Sequence, residues 1–390
     1  MKLVKMSLAA AVLLGASAFA IDNVKVSGDA KLFYNTNDTG TLSLFDKDNS
    51  YADTALRLGV TGDLLKGVSF GVTGYAISTL GLENNLVSHV WEGTGADQSK
   101  IGEAWLAGTM GKTTVKVGRM ELDTPLAFSE KWSIIPNTFD AAVLINQDLP
   151  DTTLVGAWVG KSNGSATTGD EYVVMAPSLA FSSFYQGAYA AAVVNNSFKP
   201  LTAQAWYYDV QHVANAYWLQ ADWDCQLVKG VKIGAQYADI DLKNSSADSS
   251  AYALKVAYAG VENLTLSAAY SDTDKDGALN VANIATTNTT SQSKLYTEAW
   301  WNYGYVGTAG AESFNVTAEY NAGFAKVGAY YTDVSNDIAT STHEMTELTV
   351  TASKSFGPLD TTLAYVSTDA DDQNNGSQYN SVQAYLTLNF

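Results

Sequence analysis

From Val24 onward the chain alternates. Val24, Val26, Gly28, Ala30 and Leu32 fall on one side of an extended strand, and Lys25, Ser27, Asp29 and Lys31 fall on the other. Successive side chains of a strand point to opposite faces, so such a segment carries one apolar face and one wet face. The rhythm returns at Leu56, Leu58 and Val60 against Ala55, Arg57, Gly59 and Thr61. It is cleanest in the C-terminal half. There Tyr217, Leu219, Ala221 and Trp223 oppose Trp218, Gln220 and Asp222, and Tyr252, Leu254, Val256 and Tyr258 oppose Ala253, Lys255 and Ala257. The last instance runs to the end of the chain, where Val382, Ala384, Leu386, Leu388 and Phe390 share a face.

Counting these segments gives about eighteen strands of roughly ten residues. Their connections are short near 63–67, 110–112, 147–151 and 225–229, and long at 35–50, 77–99, 121–137 and 273–311. Short connections at one end and longer loops at the other are the pattern of a transmembrane antiparallel β-barrel. A soluble two-sheet sandwich would instead have to bury every apolar face against another in one very large domain. Tyr or Trp recurs at the ends of the apolar faces, as interfacial girdles require. Proline cannot donate to a ladder, and Pro125, Pro136, Pro150, Pro177, Pro200 and Pro358 all fall in predicted loops or turns. The pattern is faintest over 138–146 and 162–195. The reading is therefore all-β: one barrel of about 18 strands.

Residues 1–20 stand apart. Lys2 and Lys5, the apolar run Leu8–Leu14 and the Ala18-Phe19-Ala20 cleavage pattern have the form of a secretory signal peptide, too short to span a bilayer. This predicts an exported chain with a single domain over 21–390. No later apolar run is long enough for a membrane helix. With 31 Gly, 22 Tyr and 9 Trp against 6 Pro, and a mean hydropathy near zero, the composition suits a barrel with a wet lumen and an apolar belt. The single Cys225 excludes an intramolecular disulfide. The net charge of −18 falls to −20 once Lys2 and Lys5 leave with the leader, which argues against nucleic acid as a partner.

Strand parity sorts the charges. Lys25, Asp29, Lys31, Asp53, Arg57, Lys232, Lys255, Glu319, Lys326 and Glu347 are predicted to line the pore, because a charge facing lipid at mid-membrane costs roughly 2–4 kcal/mol. The acidic surplus then lies mainly in loops, at positions such as Asp38, Asp46, Asp369 and Asp371. A mixed wall of this kind either guides small anions and zwitterions or merely keeps the lumen hydrated.

The stretch Lys116-Val117-Gly118-Arg119-Met120-Glu121-Leu122-Asp123-Thr124-Pro125-Leu126, continuing to Pro136-Asn137-Thr138-Phe139, resembles the segment of OprD-type porins in which a strand enters the third extracellular loop. The leader, Val24–Gly28 and the strand count also resemble the major outer-membrane porins of epsilonproteobacteria, and a terminal Phe resembles the closing strand of outer-membrane barrels. The resemblance implies an inward-folded third loop, with Glu121, Asp123, Glu130 and Lys131 at the constriction. It also implies passage of small carboxylates or basic amino acids past a ladder of arginines. Here Arg57 and Arg119 are the only arginines, and lysine lacks their bidentate fork, which favours a less selective pore. Arg119 shares the parity of Val115 and Val117, so a place in the lumen would need a bulge.

Asp272-Thr273-Asp274-Lys275-Asp276-Gly277 matches the first half of a calcium loop, but its twelfth position is Asn283 and no helices flank it. Asp272, Asp274 and Asp276 thus form either a calcium site, the one candidate cofactor, or a solvated acidic loop. His89, His212 and His343 lie in three separate loops without a paired nucleophile or carboxylate motif, so no catalytic residue is assigned. The sequence predicts a non-enzymatic porin of a Gram-negative outer membrane. Its expected partners are membrane lipid, ions and small hydrophilic solutes, with a homotrimer as the candidate assembly. The rival readings are a substrate-selective OprD-like channel and a structural or adhesive surface barrel.

Overall fold

The computed structural model describes residues 21–78, 80–82, 86–87, 98–131, 134–164, 181–244, 248–286, 291–338, 341 and 343–390. The predicted leader, Pro177 and His89 lie outside these residues. Eighteen strands follow one another: β1 (Asp22–Asn37), β2 (Ser50–Leu65), β3 (Val68–Ser78), β4 (Gln98–Met110), β5 (Thr113–Met120), β6 (Phe139–Asn146), β7 (Thr152–Ser162), β8 (Ser182–Asn195) and β9 (Leu201–Val210). The second half comprises β10 (Ala214–Asp224), β11 (Val231–Leu242), β12 (Ser249–Val261), β13 (Leu264–Thr273), β14 (Ala311–Asn321), β15 (Lys326–Asn336), β16 (Met345–Phe356), β17 (Leu359–Ala370) and β18 (Tyr379–Asn389). Each strand pairs antiparallel with its neighbours in sequence, and β1 pairs with β18, so the sheet closes on itself and has no edge. Of the two faint stretches, 138–146 resolves into β6 and the end of 162–195 into β8, while 165–180 lie outside the described residues.

The closing seam explains the terminal aromatic. Gly28 and Phe390 exchange both backbone hydrogen bonds, at 2.9 and 3.0 Å. A Cβ on Gly28 would lie 2.7 Å from the Phe390 ring and 2.3 Å from the Arg57 carbonyl. The missing side chain is therefore what lets the last residue lie flat across β1 and finish the ladder.

Alternation sets the two faces. Leu56, Leu106, Val117, Leu254, Val316, Val350 and Leu363 are exposed on the outside, although they are the most apolar positions of their strands. Tyr207, Tyr217, Tyr237, Tyr252 and Tyr365 stand at the long-loop end of this belt, and Tyr320, Phe356 and Phe390 at the short-turn end. An apolar outside flanked by aromatic girdles is built to face hydrocarbon.

The inside departs from the expected wet wall. Trp206, Tyr208, Ala214, Ala216, Trp218, Ala238, Ile240, Ala251 and Ala253 all point inward from β9–β12 and form a dry, buried surface. Two long connections cover it. We number the connections at the long-loop end L1 to L9, so that L3 is residues 121–138 and L7 residues 274–310. Leu126 of L3 and Val281 and Leu295 of L7 pack on the dry wall, while Ile134 and Ile135 of L3 reach Phe33, Tyr75 and Ile77 on β1–β3. Full burial of each such side chain is worth roughly 1.5–3 kcal/mol, enough to draw both loops into the barrel instead of out into solvent.

Candidate functional site: a lumen narrowed by two loops

L3 begins where β5 ends, and its charged residues meet the β1–β2 wall. Arg57 on β2 donates from Nε and Nη2 to Asp29 Oδ2 on β1, at 2.8 and 2.5 Å. Its Nη1 lies 3.7 Å from Glu121 Oε1, and Lys131 Nζ lies 2.8 Å from Glu121 Oε2. Lys31 lies within electrostatic reach of the same group. Next to it, Lys116 sits 4.2 Å above the Trp105 ring and interacts with Glu103 and Glu121. The result is a passage wall on which cations and carboxylates alternate.

L7 crosses the lumen and is fastened at both sides. On β11, Gln236 accepts from the Tyr296 backbone N–H at 3.0 Å and donates to the Lys294 carbonyl at 2.9 Å, so one amide side chain imitates a ladder pair. Tyr296 donates to Asp222 on β10 at 2.6 Å. At the far wall, Glu347 on β16 accepts the backbone N–H groups of Trp301 and Asn302, at 3.0 and 2.8 Å, and Trp300 donates to Gln383 on β18. Trp301 stacks on Phe33 of β1.

The two loops are joined to each other. Ile284 N–H donates to the Leu126 carbonyl at 2.9 Å, and Asn283 bridges the Phe128 backbone from both ends of its amide. The Glu130 carboxylate accepts from Asn283 Nδ2, Thr286 Oγ1 and the Gln292 backbone N–H, at 3.0, 2.8 and 3.2 Å. Lys294 of L7 pairs with Asp123 of L3.

The sequence-predicted residues therefore divide. Asp29, Lys31, Arg57, Glu121 and Lys131 come together in one cluster. Glu319 and Lys326 pair at 2.8 Å on β14 and β15, and Lys255 lies 5.5 Å from the Tyr296 ring. Lys25 is exposed near the start of β1. Lys232 pairs with Asp224 at 3.1 Å beside the short turn joining β10 and β11, away from L3. Asp53 and Glu347 point inward but are each 1 % exposed, because L3 and L7 lie over the long-loop half of the lumen. Glu347 thus holds a loop in place and does not meet solute.

Arg119 follows its parity. It faces outward and donates to Asp140 at 2.8 and 3.2 Å and to the Ile101 carbonyl, with the Phe181 ring stacked on its guanidinium. The acidic stretch scatters as well. Asp272 faces outward and accepts from Tyr252, while Asp274 caps its own turn at Asp276 N–H. Among the described residues no three His, Cys, Asp or Glu side chains gather to hold a metal ion. Lys116, Glu103 and Lys294 were missed as lumen residues. Parity against Val115 and Val117 reveals Lys116, whereas nothing local reveals Lys294.

A closed barrel with an apolar, girdled outside and a charged, loop-narrowed inside is an outer-membrane channel. The chain belongs to the Gram-negative porin family, whose model matches residues 7–387. Sequence comparison with curated proteins finds no match. Among solved structures it is similar to two Pseudomonas aeruginosa proteins, OccK8 (OprE), with 15% identity, 94% of this chain and 98% of that chain covered and a TM-score of 0.71, and OccK9 (OpdG), with 13%, 94%, 99% and 0.74. It is also similar to Pseudomonas aeruginosa OpdK solved with vanillate, with 14% identity, 94% and 98% coverage and a TM-score of 0.74. These likenesses establish an OprD-type barrel. The protein is a porin of the Gram-negative outer membrane, and it acts as a channel and not as an enzyme.

Proposed function

We propose that this porin passes small zwitterions and small carboxylates with weak selectivity, through the gap between L3 and the β1–β5 wall. The observation that carries the reading is the place of Glu121 between Arg57 and Lys131. With Asp29 also committed to Arg57, the wall offers alternating charges in place of an unbroken cationic ladder. A solute bearing both signs can exchange one fixed partner for another along such a wall, whereas a simple ion meets attraction and repulsion in turn. The OpdK structure containing vanillate, a carboxylate, is consistent with this solute class.

Reversal potentials across planar bilayers under a salt gradient test the proposal. The native pore should give a small value. Glu121→Gln leaves Arg57 and Lys131 without their shared carboxylate and should move the potential clearly toward anion selectivity. Lys232→Gln should leave it in place, since that ammonium already sits on Asp224 near a mouth of the pore. An unshifted potential in Glu121→Gln rejects the assignment of this wall to the conduction path.

A further inference from the structure

The apolar belt is not uniform around the barrel. Over β9–β17 aromatic side chains stand at both ends of the outward face, among them Tyr217, Tyr237, Tyr252 and Tyr320. Over β2–β6 that face carries one aromatic, Phe70 at the short-turn end, and its long-loop end consists of residues such as Ala52, Ala76, Ser78, Ile101, Arg119 and Asp140. Interfacial aromatics mark where a wall meets lipid headgroups, so the gap marks a wall with a different neighbour.

Shape and loops point the same way. Ala30, Thr54 and Ala76 floor an outer groove of about 460 Å³, edged by Leu32, Leu386 and Leu80. Beside it, Ile101 and Leu106 of β4 and Val117 of β5 form a ridge, each more than half exposed. Groove and ridge share a level of the belt, because Ala76 pairs with Ser99 and Gly74 with Ile101. Above them L1 (residues 38–49) leans over the outside. Phe45 N–H donates to Thr36 Oγ1 at 2.8 Å, and Ser50 Oγ donates to the Asp46 carbonyl at 2.7 Å, so the loop covers two outward-facing side chains. It holds Phe45 at φ 68°, a left-handed conformation that an aromatic residue rarely adopts, and leaves it 66 % exposed. Leu80 and Leu86 of L2 (residues 79–97) are each 68 % exposed. Hydrocarbon does not extend to loops beyond the girdle, so these apolar side chains call for a protein neighbour.

We propose that the outer face of β1–β6, capped by L1 and L2, is a docking surface for a second copy of this chain. Copies in one membrane share an orientation, so their symmetry axis runs along the bilayer normal and turns the ridge of one copy toward the groove of the next. Lipid tails are as apolar as leucine, so attraction within the belt comes from close fit over small side chains and from polar contacts that lipid does not make. Arg119 and Asp140 offer both signs of charge at this face. The area suffices. Six strands about 4.8 Å apart under a belt about 25 Å tall present roughly 600 Å² per copy, and the roughly 1,200 Å² buried by two copies reaches the range of specific interfaces. The assignment is independent of which solutes pass.

A benzophenone amino acid in place of Leu106 tests it in intact outer membranes of cells making the full chain. Irradiation should give a covalent adduct between two copies of this chain, identified by its peptides in mass spectrometry. The same probe in place of Leu266, exposed on β13 at the opposite wall, should give none. Ala76→Trp fills the groove floor with a side chain that lipid accepts, and Phe45→Ser alters a loop on which no strand pairing depends. Each should cut the Leu106 adduct about tenfold or more, with single-channel conductance retained, while Ala268→Trp on β13 should leave the adduct unchanged. Adducts at Leu106 to lipid alone or to a different protein overturn the proposal. So does an equal self-adduct at Leu266, or a Leu106 adduct that survives both Ala76→Trp and Phe45→Ser.

Discussion

Replacing residues 293–302 of L7 by a short Gly-Ser bridge raises single-channel conductance severalfold, while the barrel still folds. The expectation follows from where this span is fastened. It runs from Gln236 and Asp222 on one wall to Glu347 and Gln383 on the other, so its backbone crosses the lumen that solute must traverse. Nothing in the strand ladder depends on it, since each strand pairs only with its neighbours. Some stability is lost, because Leu295 leaves the dry wall of β9–β12 and Trp206 and Trp218 lose part of their cover. A milder version separates blockage from anchoring. Glu347→Leu leaves two L7 backbone donors without their acceptor, at roughly 1–3 kcal/mol for each that stays buried and unpaired. The loop should then visit open positions, giving intermediate conductance with added noise. Unchanged conductance in the bridged form places L7 outside the conduction path and returns the constriction to L3 alone.

How much of this was legible in the residues depends on the range of the interaction concerned. Strand parity is local, so Lys31, Arg57 and Lys255 could be aimed at the lumen from their immediate neighbours, and Arg119 could be aimed away from it. The third loop was legible through the Gly118–Leu126 motif. L7 was not, because it reads as a Thr- and Asn-rich loop and its destination is set by contacts with strands that precede and follow it in the chain. One signal was available. Val281, Ile284, Leu295, Trp300 and Trp301 are heavy apolar side chains for a loop in water, and the inward faces of β9–β12 carry Trp206, Tyr208, Trp218 and Ile240 where a wet wall was expected. Two apolar surfaces on the wet side of a barrel require each other. Asp53 and Glu347 show the cost of parity used alone, since it gives the direction of a side chain but not what lies over it.

The sidedness of the barrel is open to a direct test on two adjacent residues of β12. Leu254 is 54 % exposed on the outside, between Tyr252 and Tyr258 on the same face, and Lys255 points inward toward Tyr296. If the outside touches hydrocarbon, Leu254→Arg places a guanidinium near the centre of the belt and costs roughly 2–4 kcal/mol. That is a shift of between about thirtyfold and several hundredfold in the folded-to-unfolded ratio. Lys255→Met removes a charge from the lumen and should change stability far less, because the ammonium lies 5.5 Å from the Tyr296 ring and, among the described residues, makes no close ion pair. Equilibrium unfolding in lipid vesicles measures both. The reverse ranking, or equal losses, would mean that the apolar belt faces something other than lipid, and the channel would lose its physical basis. The Leu254 change also discriminates within the fold. Water already surrounds this face in a soluble barrel, where arginine at a half-exposed position would be nearly neutral, so a large loss at Leu254 is a result that only a membrane-embedded wall produces.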